Sequence, residues 1–364
     1  MRILRSQTRP TSLSRTGFSF VEMIVVIGII ALLIGLTLPA ISQSRASARR
    51  MECMVRLRNV TMAMLNAADA AGRFPASGNF TDKAPFESRQ SWVVDVLPWL
   101  DEASTAVAWN QEQAIDNPAN LPLTRRFFPI LTCPADISVM PSDDVGTYGN
   151  LSYVVNGGVG YTTYLNAVHD CPVDLQGRAI DLDGDGSTCP SATGDAEDKG
   201  IFLQLGLFFN ETWKTGVSRR HHTIASVTDG MSNTVILSEN VRTGYNPGAS
   251  TNPWLSGWAS PNAQLTSFYI GDPCINASCT AGNVNYTLAN AGDAAINSGL
   301  KRPEGTSSVP NSFHFGGVNM SFGDGRVQFI SQSIDGVVYA AIVSPQGGGL
   351  SGTPLSQSAA GGLP

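Results

Sequence analysis

Residues 17–41 read GFSFVEMIVVIGIIALLIGLTLPAI, and the fold turns on how this stretch is read. Met23 to Ile41 is a run of 19 residues without a charge. At ~1.5 Å per residue, such a run nearly spans a ~30 Å hydrocarbon core as a helix. A cleaved secretory signal has a shorter apolar stretch of ~7–15 residues, with its small-residue cleavage site after it. Here the small residue, Gly17, comes before the run. A cut at that point leaves the membrane helix on the mature chain. Glu22 sits at the front edge of the run, and a carboxylate in lipid is costly unless paired. Two explanations stand: a partner cation, or a position at headgroup depth near a helix end.

Outward from this stretch, Arg2, Arg5, Arg9 and Arg15 precede it, while Arg45, Arg49, Arg50, Arg56 and Arg58 follow it. The positive-inside rule therefore does not decide the orientation by itself. Pro39 cannot donate an amide, so it either loosens the helix or marks the membrane exit. Beyond it, Pro and Gly are absent until Gly72, and Met51, Val55, Met62 and Leu65 recur at helical spacing. That stripe predicts a helix continuing over 42–72 and packing on a globular domain, with GRFPASG (72–78) as its end.

The pattern then changes. SWVVDVLPWLDEASTAVAWN (91–110) sets two Trp around an apolar piece, followed by a short helix. LTCPAD (131–136) reads as a strand end with a turn, and GNLSYVVNGG (149–158) as a strand between glycines. IASVTDGMSNTVILSEN (224–240) reads as a turn and then a strand. SFHFGGVNMSFGDGRVQFIS (312–331) is the clearest hairpin: Val318, Met320 and Phe322 alternate, GDG turns the chain, and Val327 and Phe329 resume the alternation. The expected fold class is α+β, a long N-terminal helix packed on a mainly antiparallel β domain. The expected organisation is a leader (1–17), a transmembrane helix (18–41), its continuation (42–72), a β-rich domain (73–344) and a flexible tail (345–364).

Charged residues make up 14% of the 364-residue chain, against ~25% in an average globular protein. Without residues 1–17, 19 basic side chains face 29 acidic ones, a balance of −10. An acidic body argues against nucleic acid as a partner. The six cysteines, Cys53, Cys133, Cys171, Cys189, Cys274 and Cys279, include no C-x-x-C pair, so zinc-finger spacing is absent. Export favours disulfides. Of ~15 connectivities, the one adopted joins Cys53 to Cys133, Cys171 to Cys189 and Cys274 to Cys279.

In DLDGDGSTCPSA (181–192), Asp181, Asp183 and Asp185 alternate, Gly186 permits a sharp turn and Ser187 offers a carbonyl. This is the first half of an EF-hand-type calcium loop. Ala192 stands where the bidentate acid belongs, and Asp195, Glu197 or Asp198 would have to substitute. Calcium and a plain solvated acidic loop both remain open. His314 and Asp324 could form a nucleophile-activating pair; the reading adopted places them at opposite ends of a hairpin arm or makes His314 a turn cap. Glu239 is expected to pair with Arg242 or accept turn amides. Adjacent His221 and His222 point to opposite faces in a strand, which argues against a shared metal. No G-x-S-x-G, P-loop, Rossmann fingerprint or H-E-x-x-H occurs. The expectation is a protein that is not an enzyme, with no catalytic residues assigned.

Two resemblances sharpen this. GFSFVEMIVVIGIIALLIGLTLP resembles the N-terminal signature of type IV pilins and the pseudopilins of type II secretion systems. The resemblance implies that a prepilin peptidase cuts after Gly17 and that Phe18 becomes the methylated N-terminus. It further implies that Glu22 attracts the N-terminal amine of a neighbouring pilin-like subunit. It places residues 1–17 in the cytoplasm and the helix in the inner membrane as a single pass, with the domain in the periplasm or at the cell surface. Secondly, ARRMECMVRLRNV, GRFPASG, SWVVDVLPWLDE, LTCPAD, LSYVVNGG, VTDGMSNTVILSE and HFGGVNMSFGDGRVQFI, in this order, resemble DUF1559 proteins of planctomycete type. His314, nine residues, then Asp324 and Gly325 match that family's terminal H-x9-DG motif. The stretch from about Tyr161 to Lys199 departs from the pattern. A second function is compatible with the same architecture: an anchored surface protein that holds a solute or glycan, with Trp92, Trp99, Trp254 and Trp258 as stacking surfaces.

Overall fold

The computed structural model describes residues 17–81, 87–137, 149–159, 196–212, 222–243, 257–270, 289–302 and 307–349. The chain divides between Ala48 and Arg49 into two units.

Helix α1 (Phe20–Ala71) has 52 residues and continues through Pro39. From Met23 to Ile41 it carries no charge, and the large side chains from Phe18 to Ile41 are exposed. It is long and apolar enough to cross a membrane. An exposed helix with no polar face has lipid as its natural solvent.

In the second unit, α1 acquires one buried face: Cys53, Leu57, Val60, Thr61, Met64, Ala67 and Ala68. This corrects the expected stripe. Met51, Val55 and Met62 are exposed, at 67%, 57% and 44%, and Leu65 is only partly buried. Both sets satisfy helical spacing. The packed one is rich in alanine and a half-cystine, which let the helix approach the sheet closely. Gly72, at φ +70°, ends the helix. Its amide donates to the Asp69 carbonyl at 3.3 Å and that of Arg73 to Ala68 at 3.0 Å, the paired bonds of a Schellman cap.

The body carries two sheets. The smaller orders β2 (Ser88–Ser91), β1 (Gly78–Phe80) and β4 (Asn210–Thr212). The larger orders β6 (Ser267–Ile270), β3 (Tyr153–Val159), β5 (Val235–Glu239), β7 (Gly317–Phe322) and β8 (Val327–Ser331). Among the described residues, β1–β4 and β3–β6 are parallel and the other four pairings are antiparallel. The class is α+β with a mainly antiparallel sheet, as the sequence indicates.

Alternation on β3 sends Tyr153 and Val155 into one core and Val154 into the other. The first core joins the sheet to α1 and to α2 (Trp92–Val96). The second joins it to α3 (Ala196–Leu205) and α4 (Gly336–Val343) through Phe202 and Tyr339. A register shift between Val235 and Leu237 puts Ile236 and Leu237 side by side in the first core.

Two local expectations fail. LTCPAD is not a strand end: Pro129–Leu131 form a 3-10 turn with proline at its start, and Cys133 ties the following loop to α1. Residues 345–349, assigned to a flexible tail, are packed. Gln346 Nε2 donates to the Ser226 carbonyl at 2.6 Å, and the Gly348 amide to Asp229 Oδ1 at 3.2 Å. Residues 350–364 lie outside the described residues.

Candidate functional site

Between α1 and the sheet lies a polar cluster inside an otherwise apolar layer. Its first member is the Cys53–Cys133 disulfide, which closes a sequence separation of 80 with Cα atoms 5.0 Å apart. Arg56, one turn along α1, clamps the same loop: its guanidinium donates to the carbonyls of Pro129 (2.6 Å) and Thr132 (3.0 Å) and pairs with Glu52 (2.5 Å). The Tyr153 hydroxyl donates to the Cys53 carbonyl at 3.2 Å.

Beside the disulfide sits His314. Its Nε2 is 3.3 Å from Glu239 Oε1 and 3.5 Å from Cys133 Sγ. Glu239 is fully buried at the end of β5. It accepts from the Asn319 backbone amide through Oε2 and from the Asn319 side chain through Oε1, each at 2.9 Å. Buried acids survive only when hydrogen-bonded in this way. Glu239 also faces Tyr153 across the β3–β5 ladder. Burial, and next the negative charge of Glu239, push the Tyr153 hydroxyl well above its ordinary value, so it stays a donor. The possible ligand atoms of Cys53, Cys133, Glu239 and His314 all lie within 4.8 Å of one another.

Asp324 and Gly325 occupy the opposite end of β7. Asp324 Oδ1 accepts the Arg326 amide at 2.9 Å, and the Gly325 amide donates to Phe322 at 2.9 Å. Gly325 has φ +82°, and a Cβ there would meet Met62 Sδ on α1 at 3.0 Å. This is a type I turn closed by a left-handed glycine. A six-residue strand separates the two ends by ~20 Å. His314 and Asp324 therefore form no catalytic pair; they anchor the two ends of one hairpin.

A second feature is a hollow of about 330 Å³ at the C-terminal end of α1, lined in part by Arg73, Phe74, Asp95 and Trp99. Trp99 is 47% exposed. Gln90 Nε2 donates to Asp95 at 2.8 Å. Burial raises the Asp95 carboxyl to about 7, against the opposing charge of Arg73.

Over residues 42–336 the chain matches the family described as "Protein of unknown function (DUF1559)". The chain belongs to the DUF1559 family. No curated protein and no solved structure matches it significantly. The DUF1559 region thus includes the α1 face, the disulfide, the His314–Glu239 pair and both hairpin anchors. Family and N-terminal helix together fit a membrane-anchored extracellular protein.

Within this DUF1559 chain, the sequence singles out His314 but misassigns its neighbour. Glu239 engages His314 and Asn319 instead of Arg242, whose guanidinium donates to the Leu300 carbonyl. The usable signal was an acid closing the largely apolar run TVILSE. Gly17 and Phe18 are exposed. Glu22 lies in the first turn of α1, and the Ser19 amide donates to its Oε2 at 2.8 Å. His222 is buried: its Nε2–H donates to the Leu203 carbonyl (2.8 Å), its Nδ1 meets Ser226 Oγ (3.0 Å), and burial lowers its basicity. Trp92 and Trp258 are core residues with no exposed stacking face. Asp181, Asp183, Asp185 and Ser187 lie outside the described residues, as do Cys171, Cys189, Cys274, Cys279, His169, His221 and Trp254.

Proposed function

We propose that the protein is a pilin-like structural subunit, held in the inner membrane by α1 with its DUF1559 domain in the periplasm or at the cell surface. It is cut after Gly17 by a prepilin peptidase and methylated at Phe18, and it performs no catalysis. The observation that carries this reading is the first half of α1: apolar on every side, exposed, and bearing a single acid, Glu22, in its first turn. In the uncut chain that carboxylate is satisfied by the Ser19 amide of its own helix, the return half of a capping box. Cutting after Gly17 creates an ammonium at Phe18. A neighbouring subunit's ammonium and Glu22 then remove two costly charges from lipid together. The partners on this reading are pilin-like subunits of a type II secretion or type IV pilus system, with no role for nucleic acid. The test is the intact mass of the protein from its own membranes. Loss of residues 1–17 plus one methyl group supports the reading; a full-length mass sinks it.

A second reading has its own observation. The hollow beside Trp99 combines an exposed aromatic face with a partly buried carboxyl, the pairing a sugar or small solute uses. Its volume is at the lower end of ligand sites, ~300–1,000 Å³. Thermal shifts against a panel of mono- and disaccharides, lost in Trp99→Ala, would support it. No shift in the unaltered protein would remove it.

A further inference from the structure

We infer that the dithiol form of this chain holds one zinc-class divalent ion at Cys53, Cys133, His314 and Glu239. The oxidised form then replaces the ion with the disulfide. All four residues are buried, and their ligand atoms already converge within 4.8 Å. The geometry is more specific than proximity. Tetrahedral zinc with bonds of ~2.0 Å to nitrogen and oxygen and ~2.3 Å to sulfur has an N–O edge of ~3.3 Å and an S–N edge of ~3.5 Å. His314 Nε2 is 3.3 Å from Glu239 Oε1 and 3.5 Å from Cys133 Sγ. Two of the six edges of the tetrahedron are therefore in place, the other ligand pairs lie within 4.8 Å, and reduction frees the sulfurs to move apart to an S–S edge.

The supporting groups fit as well. Asn319 holds both Glu239 oxygens, through its amide and its side chain. The Ser312 hydroxyl accepts the His314 amide at 3.0 Å. The Asn319 contacts fix the direction of the Glu239 carboxylate as outer partners of a metal ligand do, and the Ser312 contact holds the backbone that carries His314. Two thiolates, an imidazole and a carboxylate form a borderline-soft set suited to zinc and unsuited to calcium or magnesium.

The exchange balances. In a newly made chain Cys53 and Cys133 are thiols; binding M²⁺ there releases two protons and forms two metal–thiolate bonds. A disulfide-class oxidant, R–S–S–R, then takes two electrons. The Cys53–Cys133 bond forms, both metal–sulfur bonds break, M²⁺ leaves, and two R–S⁻ depart. Either form ties α1 to the loop after Pro129, so the ion holds the same junction before oxidation that the disulfide holds afterwards.

The test uses the full-length chain in detergent, reduced with a phosphine, with cobalt as the spectroscopic probe and zinc as the protecting ion. Expected are tetrahedral d–d absorption and a thiolate charge-transfer band saturating at one equivalent for this site. Both vanish on reoxidation and in His314→Ala, and Asn319→Ala weakens binding about tenfold. In parallel, zinc slows alkylation of Cys53 and Cys133 in peptide maps of the unaltered chain, which decides the matter even if His314→Ala fails to fold. Equal alkylation of Cys53 and Cys133 with and without zinc overturns the inference. So does a cobalt spectrum that a folded His314→Ala leaves unchanged.

Discussion

The two halves of α1 share a backbone and differ in what surrounds it. From Phe20 to Ile41 no large apolar side chain is buried. From Cys53 to Ala68 the buried residues recur every three or four positions along one face. The first half, long and apolar enough to cross a membrane, carries no seam; a bilayer would offer it the same apolar solvent on all sides. The second half carries a seam because one face meets a sheet and the other meets water. The burial pattern thus changes along one helix, close to where the arginines Arg45, Arg49 and Arg50 cluster.

The comparison breaks most visibly under a charge. Leu57→Asp places an unpaired carboxylate against the sheet and should cost more than about 4 kcal/mol, unfolding the body. Leu33→Asp, in the apolar half, should leave the body's thermal melt unchanged and cost about 3 kcal/mol of membrane retention instead. Circular-dichroism melts with membrane fractionation separate the two. If Leu33→Asp also lowers the melt, the halves are not independent. Next in size is the tie between helix and body. Cys53→Ser with Cys133→Ser opens a loop of sequence separation 80 and should cost about 4 kcal/mol, most of it through a looser unfolded state. A melt unchanged in oxidising buffer would show that the Arg56 clamp and the α1 seam suffice alone.

The sequence made these halves legible to different degrees. Nineteen uncharged residues announce a membrane-length helix without ambiguity. The seam was harder, because Met51–Val55–Met62 and Cys53–Leu57–Val60 obey the same period. Side-chain bulk favoured the first set, while close packing uses the alanines of the second. The hairpin of β7 and β8 was readable because GDG sits between two alternating runs. The cluster around His314 was not. Its members come from α1, the loop at Cys133, β5 and the approach to β7, and no local spacing links residues so far apart. Its members were visible only singly: the Cys53–Cys133 pairing is the one adopted from the sequence, and His314 heads the H-x9-DG motif, but nothing joined either to Glu239.

Smaller effects probe the ends of the seam. Gly325→Ala forces a side chain into a left-handed conformation and toward Met62 Sδ, so it should cost about 1–2 kcal/mol. Gly72→Ala has open space around it but φ +70°, which should cost about 1 kcal/mol and fray the last turn of α1. Urea midpoints for the pair test whether contact or conformation dominates. If Gly72→Ala costs more than Gly325→Ala, the hairpin turn does not brace the helix.

The mildest effect is a pH dependence at the same end. Burial lifts Asp95 from its unfolded value of 3.8 to about 7, with Arg73 and the Gln90 hydrogen bond opposing it. In that window the native state keeps a proton the unfolded state has released. Stability should therefore fall as pH rises from about 4 to about 7, and the penalty persists above it. Asp95 is only partly shielded from water, so screening reduces the loss to on the order of 1 kcal/mol. Asp95→Asn removes the ionisation and should flatten the profile between about pH 4 and about pH 7. It should gain stability at the alkaline end and change little at the acid end. An Asp95→Asn melt that keeps the slope of the unaltered protein would assign the pH dependence to another group. It would leave the hollow beside Trp99 with an ordinary carboxylate.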